Sequence, residues 1–118
     1  MKPETWATAA PMLGRALAYA PTHSIDGVRK EIEAGRAQLW CGRRSVVVTV
    51  LVLYPKYKAC RIWLGAGEKR EISDEIVPDI EKWARERGCA RMEVMGRKGW
   101  TRVLRSYEQT HTVLERAL

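Results

Sequence analysis

The chain of 118 residues carries 21 lysines and arginines against 14 acidic residues, a formal charge of +7, with three cysteines and no phenylalanine. That is one domain's worth of chain, residues 1–118, with room for one catalytic or binding site. No run reaches the roughly 18 to 20 apolar residues of a spanning helix, and no charged start leads into an apolar segment with a cleavage site, so a soluble, cytoplasmic protein off the membrane is expected.

In chain order, Trp6, Ala9, Ala10, Leu13 and Leu17 follow helical spacing, and Pro21 stops that segment. A second helix fits "SIDGVRKEIEAG", with Ser24 as its cap, Asp26 at its positive end, Ile25, Val28 and Ile32 on one face, and Gly35 ending it in a left-handed conformation. Strand chemistry follows: "AQLWC", a turn at Gly42-Arg43-Arg44, "SVVVTVLVL", a turn over Tyr54-Pro55-Lys56-Tyr57, and "KACRIWL". Both alternating sets of the middle strand are apolar apart from Thr49, so it is expected at the centre of the sheet with helices over both faces. The short connections make these three strands an antiparallel meander.

The stretch "WLGAGEKREI" stops the third strand at two glycines. Ser73 is the expected cap of the next helix, whose face is Ile76, Ile80, Trp83 and Ala84 and whose terminator is Gly88, with Pro78 weakening its first turn. "ARMEVM" then reads as a strand parallel to the one before the glycines, because a helix connects them. The turn Gly96-Arg97-Lys98-Gly99 leads to a short helix over Trp100–Arg105, and "YEQTHTVLERAL" reads as a last strand. The fold class is therefore α/β: a mixed, mostly antiparallel sheet of about five strands flanked by helices on both faces.

This element order, with "IEAGRAQLW", "SVVVTVLVLYP", "WLGAG", "IEKWARERGC" and "GRKGWTRVL", resembles the Gcn5-related N-acetyltransferase superfamily, in particular small acetyltransferase-like proteins of phages and prophages. The resemblance implies acetyl-CoA as cofactor, its pyrophosphate held by a loop of the form Arg/Gln-x-x-Gly-x-Gly/Ala. Gly65, Ala66 and Gly67 match the glycine part, whereas Ile62 stands where the basic or amide residue is expected. Glycine lets the backbone approach a phosphate, and amides at a helix start aim partial positive charge at it. Lys69 and Arg70 are placed to replace the missing cation, with Glu68 and Glu71 offsetting their field, and "EKREI" sets five residues between the loop and the Ser73 cap.

Acetyl transfer to an amine also asks for a proton acceptor and a general acid for the departing thiolate. Laid over the family pattern, "TRVLRSY" puts Arg102 at the position of the usual tyrosine acid and Tyr107 at the final aromatic, so Tyr107 is the candidate acid and Glu93, in "RMEVM", the candidate base. His111 is a further titratable candidate, and Gly96–Gly99 a further phosphate turn.

Cys41, Cys60 and Cys89 are odd in number and widely spaced, which points to reduced, mostly buried thiols, and no ligand pairs with metal spacing occur, so no metal is expected. Five tryptophans exceed what a small core readily takes, and any left exposed would mark a protein contact. Two readings stand at this point: a phage or prophage protein whose domain is a non-catalytic binding or virion-assembly module with protein partners, and an acetyl-CoA-dependent N-acetyltransferase acting on a primary amine. Basic residues spread along the chain add nucleic acid as a further partner class, with steep salt dependence as its mark.

Overall fold

A computed structural model describes residues 2–18, 22–95, 99–110 and 114–118. Two helices, α1 (Pro3–Leu17) and α2 (Ile25–Glu33), lead into a meander of β1 (Ala37–Cys41), β2 (Ser45–Leu53) and β3 (Lys58–Gly67). A helical run follows without a break: α3 (Lys69–Glu71), a π-helical turn (Ile72–Ile76) and α4 (Val77–Glu86). Then come β4 (Arg91–Val94) and the short α5 (Trp100–Val103). The sheet order is β1-β2-β3-β4, with β1, β2 and β3 antiparallel and β4 parallel to β3.

The helices pack on opposite faces, as the doubly apolar β2 requires. Trp6, Ala9, Leu13 and Leu17 of α1 and Val28 of α2 meet Val46 and Val48 on one face, while Ile72, Ile76, Ile80 and Ala84 meet Val47, Cys60 and Ile62 on the other. Ser24 caps α2 by accepting from the Gly27 N–H at 3.0 Å. Thr49, fully buried in β2, accepts from Trp40 Nε1 at 3.0 Å and donates to Gln38 Oε1 at 2.9 Å, so the one polar residue of the run is satisfied.

Three expectations change. The register slips between Val48 and Thr49, where β3 carries one extra residue, so Trp63 and Leu64 both pack toward α1. Cover thins toward the end of β2: Val50 and Leu51 still pack, half-buried, on the two cores, while Leu53 is 79% exposed. The sheet has four strands among the described residues, since 107–110 and 114–118 form no fifth. Among the described residues of that segment, Leu114 and Leu118 are exposed and Tyr107 packs on the core. No helix is long and apolar enough to cross a membrane among the described residues.

Candidate functional site

The parallel strands β3 and β4 pair only over Ala59–Ile62 and Arg91–Val94. Beyond Ile62, β3 continues to Gly67 beside β2 alone among the described residues, so the sheet splits at the carboxyl ends of its two parallel strands. Gly65 lies on the β3 side of this split. A Cβ there would sit 3.3 Å from Trp100 Cζ2, and one at Gly99 would sit 3.0 Å from Lys69 Nζ. Gly65, Lys69, Gly99 and Trp100 thus converge on the split from three elements.

The helix expected to start at a Ser73 cap begins four residues earlier, at Lys69, directly after the glycine loop. The Ile72 N–H donates to the Glu68 carbonyl at 3.1 Å, which closes the first turn and leaves the amides of Lys69, Arg70 and Glu71 without intrahelical acceptors. The apparent five-residue excess is taken up inside the helix. A π turn, closed by the Val77 N–H on the Ile72 carbonyl, brings Ile72 and Ile76 onto the same buried face as Val77, Ile80 and Ala84. Pro78, which has no N–H to donate, follows directly on the π turn, where the ladder of helical hydrogen bonds already shifts register. Ser73 Oγ instead donates to the Arg70 carbonyl at 3.3 Å and to Asp74 Oδ1 at 3.0 Å.

The acids of the loop also differ from expectation. Glu71 turns inward and is buried, accepting from the Arg43 amide at 2.9 Å, the Arg44 amide at 3.0 Å and the Ser45 hydroxyl. The Ser45 hydroxyl, then the Arg44 amide, hold its carboxyl below the ordinary carboxylate range. Gly42 makes room for it, since a Cβ there would lie 2.4 Å from Glu71 Oε1. Glu68 lies 3.9 Å from Arg44 Nη1. Both carboxylates are thus engaged by the β1–β2 turn, and Lys69 and Arg70 stand exposed at the helix start with their field less offset than the sequence suggests. An open cleft of about 440 Å³ adjoins this start on the β1–β2 side, lined by Arg43, Arg44 and Arg70 together with Glu68, Glu71, Asp74 and Glu75.

No protein-family model matches the chain, and no curated protein matches it in sequence. Solved structures do match in shape. A probable acetyltransferase superposes with a TM-score of 0.74 at 10% identity, over 98% of this chain and 92% of that one. A transcriptional regulator from Bacillus halodurans C-125 superposes at 0.71 with 17% identity, over 100% and 96%. A GNAT family acetyltransferase from Staphylococcus aureus superposes at 0.68 with 10% identity, over 100% and 95%. The fold is that of the Gcn5-related acetyltransferases.

Within this acetyltransferase fold the two proton-transfer candidates lie on opposite faces of the sheet. Met92 and Val94 pack toward α4, so Glu93 between them points to the other face, where Arg61 Nε approaches its Oε1 at 3.2 Å and the Tyr54 hydroxyl donates to its Oε2 at 2.8 Å. Tyr107 packs on the α4 side, and its hydroxyl donates to Glu81 Oε2 at 2.6 Å. Burial first, then the Glu81 hydrogen bond, push the Tyr107 phenol far above its ordinary value. Arg102 is exposed on α5. His111 and Gly96–Lys98 lie outside the described residues. Neither the Tyr54–Arg61–Glu93 cluster nor Glu71's inward turn is legible in the sequence, because both depend on contacts between residues 26 to 39 positions apart.

The acetyltransferase fold also places the thiols and the tryptophans. Cys60 is buried, Cys89 half-buried and Cys41, at the end of an edge strand, exposed, which departs from the expected burial. Burial, with Cys89 adding a smaller push, raises the Cys60 thiol to about 11. A disulfide reagent at neutral pH is expected to modify Cys41 first and Cys60 only as the chain unfolds, which mass spectrometry of timed samples checks. Modification of Cys60 at the rate of Cys41 would contradict the packing. None of the five tryptophans is exposed: Trp6 is buried and the others are half-buried, with Trp40 and Trp83 edge to face at 5.5 Å.

Proposed function

We propose that this chain binds acetyl-CoA at the split between β3 and β4 and transfers its acetyl group to a primary amine. The observation that carries the reading is the helix opening at Lys69, immediately after Gly65–Gly67, with free first-turn amides beside the split. Those amides, Lys69 and Arg70 would hold the pyrophosphate. The residues fit an anion there because the nearby carboxylates of Glu68 and Glu71 are turned to the β1–β2 turn. Gly65 leaves room for the Trp100 ring, which packs where a Cβ would sit and so lines the split beside the strand.

The bound thioester supplies an activated acetyl group: the amine nitrogen forms a bond to the acyl carbon, the carbon–sulfur bond breaks, and the thiolate takes a proton. On this chain the sequence offers Glu93 on one face and Tyr107 on the other for these proton transfers, and each is already engaged, by Arg61 and Tyr54 or by Glu81. That engagement favours a second reading, a binding module that holds the cofactor or a protein partner without transfer. The phage-type virion-assembly role belongs to this second reading.

Titration with acetyl-CoA separates them. The first reading expects heat on binding, a higher melting temperature, and free thiol released when amines are supplied. Reversing charge at Lys69 and Arg70 (K69E with R70E), or Gly65→Asp, is expected to remove the thermal shift while leaving the fold intact. Binding without thiol release supports the module, and a saturating titration with neither heat nor thermal shift overturns the cofactor reading.

A further inference from the structure

The end of the sheet opposite the split holds a cluster of aromatic rings and cations. The β2–β3 turn closes with the Tyr54 N–H donating to the Tyr57 carbonyl at 2.9 Å, which sets the two rings beside each other at 5.2 Å between centroids. Arg91, exposed at the first residue of β4, lies over the Tyr57 ring, 4.9 Å from its centroid. Lys56 is exposed at the tip of the turn; Lys58 Nζ donates to the Arg87 carbonyl, and the Arg87 guanidinium lies over the Trp83 ring, 5.0 Å from its centroid. The carboxylate within the cluster, Glu93, is matched by Arg61 at 3.2 Å. Exposed Arg85 and Glu86 on the last turn of α4 offset one another. Two cations, Lys56 at the tip and Arg91 over Tyr57, are therefore left beside a pair of aromatic rings, with Lys58 turned to the α4 face.

We infer that this end of the sheet binds single-stranded nucleic acid. Cations track a phosphate backbone, while tyrosine rings and an arginine guanidinium offer flat faces on which unpaired bases stack. A surface that attracted only acidic protein would gain nothing from the Tyr54–Tyr57–Arg91 stack. A duplex keeps its bases from such faces. The inference does not rest on cofactor binding, because the cluster lies at the other end of β3.

The test is fluorescence anisotropy of the intact chain with labelled oligothymidylate and oligouridylate of about 15 nucleotides. Binding is expected to weaken steeply between about 50 and 200 mM salt, with log affinity falling by about 0.7 per phosphate contact for each unit of log salt. Tyr57→Ala is expected to weaken binding by about 5- to 100-fold with an unchanged salt slope. Lys56→Glu, at the exposed tip where folding is not at stake, should weaken binding and reduce the slope, while Arg15→Ala on exposed α1 should change neither. The two oligonucleotides show whether DNA or RNA is preferred. No binding at the low-salt end, equal loss with Arg15→Ala, or competition by duplex or by polyglutamate as effective as by single strands would overturn the inference.

Discussion

Replacing Gly67 by alanine is expected to cost on the order of 4 kcal/mol, a fall in melting temperature of roughly 15 °C for a domain of this size. Gly67 sits at φ 110°, in the region L side chains rarely enter, and a Cβ there would lie 2.2 Å from the Arg44 carbonyl oxygen and 2.5 Å from Ser45 Cα. Those contacts are backbone, so no side-chain rotation relieves them. Gly35 separates the two contributions, because it shares a positive φ, 79°, and has nothing within 4 Å of a built Cβ. Gly35→Ala is therefore expected to cost only about 1 kcal/mol, the ordinary penalty of that backbone region. Thermal melts of both variants check this, and equal losses would show that backbone conformation, and not the collision with the β1–β2 turn, sets the requirement. The glycine is thus needed by the sheet itself, which makes Gly67 unsuitable as a probe of cofactor binding and leaves Gly65, whose nearest neighbour is a tryptophan side chain, as the position to test.

Glu71→Gln is expected to lower the melting temperature at neutral pH on the order of 10 °C, since an amide nitrogen would face donors from Arg43, Arg44 and Ser45 where a carboxylate now accepts from all of them. The difference should depend on pH in a defined direction. Hydrogen bonds to the ionised form hold the folded carboxyl below its ordinary value of 4.5, so its contribution is complete above that value. As pH falls below about 4.5 and through the lowered folded value, the contribution is lost, and the two proteins' melting temperatures should converge. Melts across the acid range measure it. A gap that stays constant down to the acid limit would mean that the carboxylate's charge contributes nothing to holding the turn.

Glu71 also shows where reading the sequence stopped. As a letter in "EKREI" it is a charge beside two cations, and its expected effect was to weaken an anion site. In the structure it is the anchor of a turn 27 and 28 residues earlier, and its inward orientation leaves Lys69 and Arg70 outside. The helix start was misplaced for a related reason. Ser73 followed by two acids is a sound local cap signal, yet Ile72 and Ile76 are both needed on the buried face, and a π turn satisfies that at a cost no local signal reveals.

Composition and periodicity by themselves determined the class and order of the first elements, the meander, the central and doubly covered β2, and the parallel return to β4. Those features follow from spacing along the chain, from which residues must leave water, and from the length a crossover needs. Only tertiary structure decided the bulge at Trp63, the absence of a fifth strand among the described residues, the helix start at Lys69, and the placing of Glu93 and Tyr107 on opposite faces. Each of these depends on which distant partner a side chain or amide meets, and a hydrogen bond or packing contact across tens of residues leaves no periodic trace in the chain that makes it.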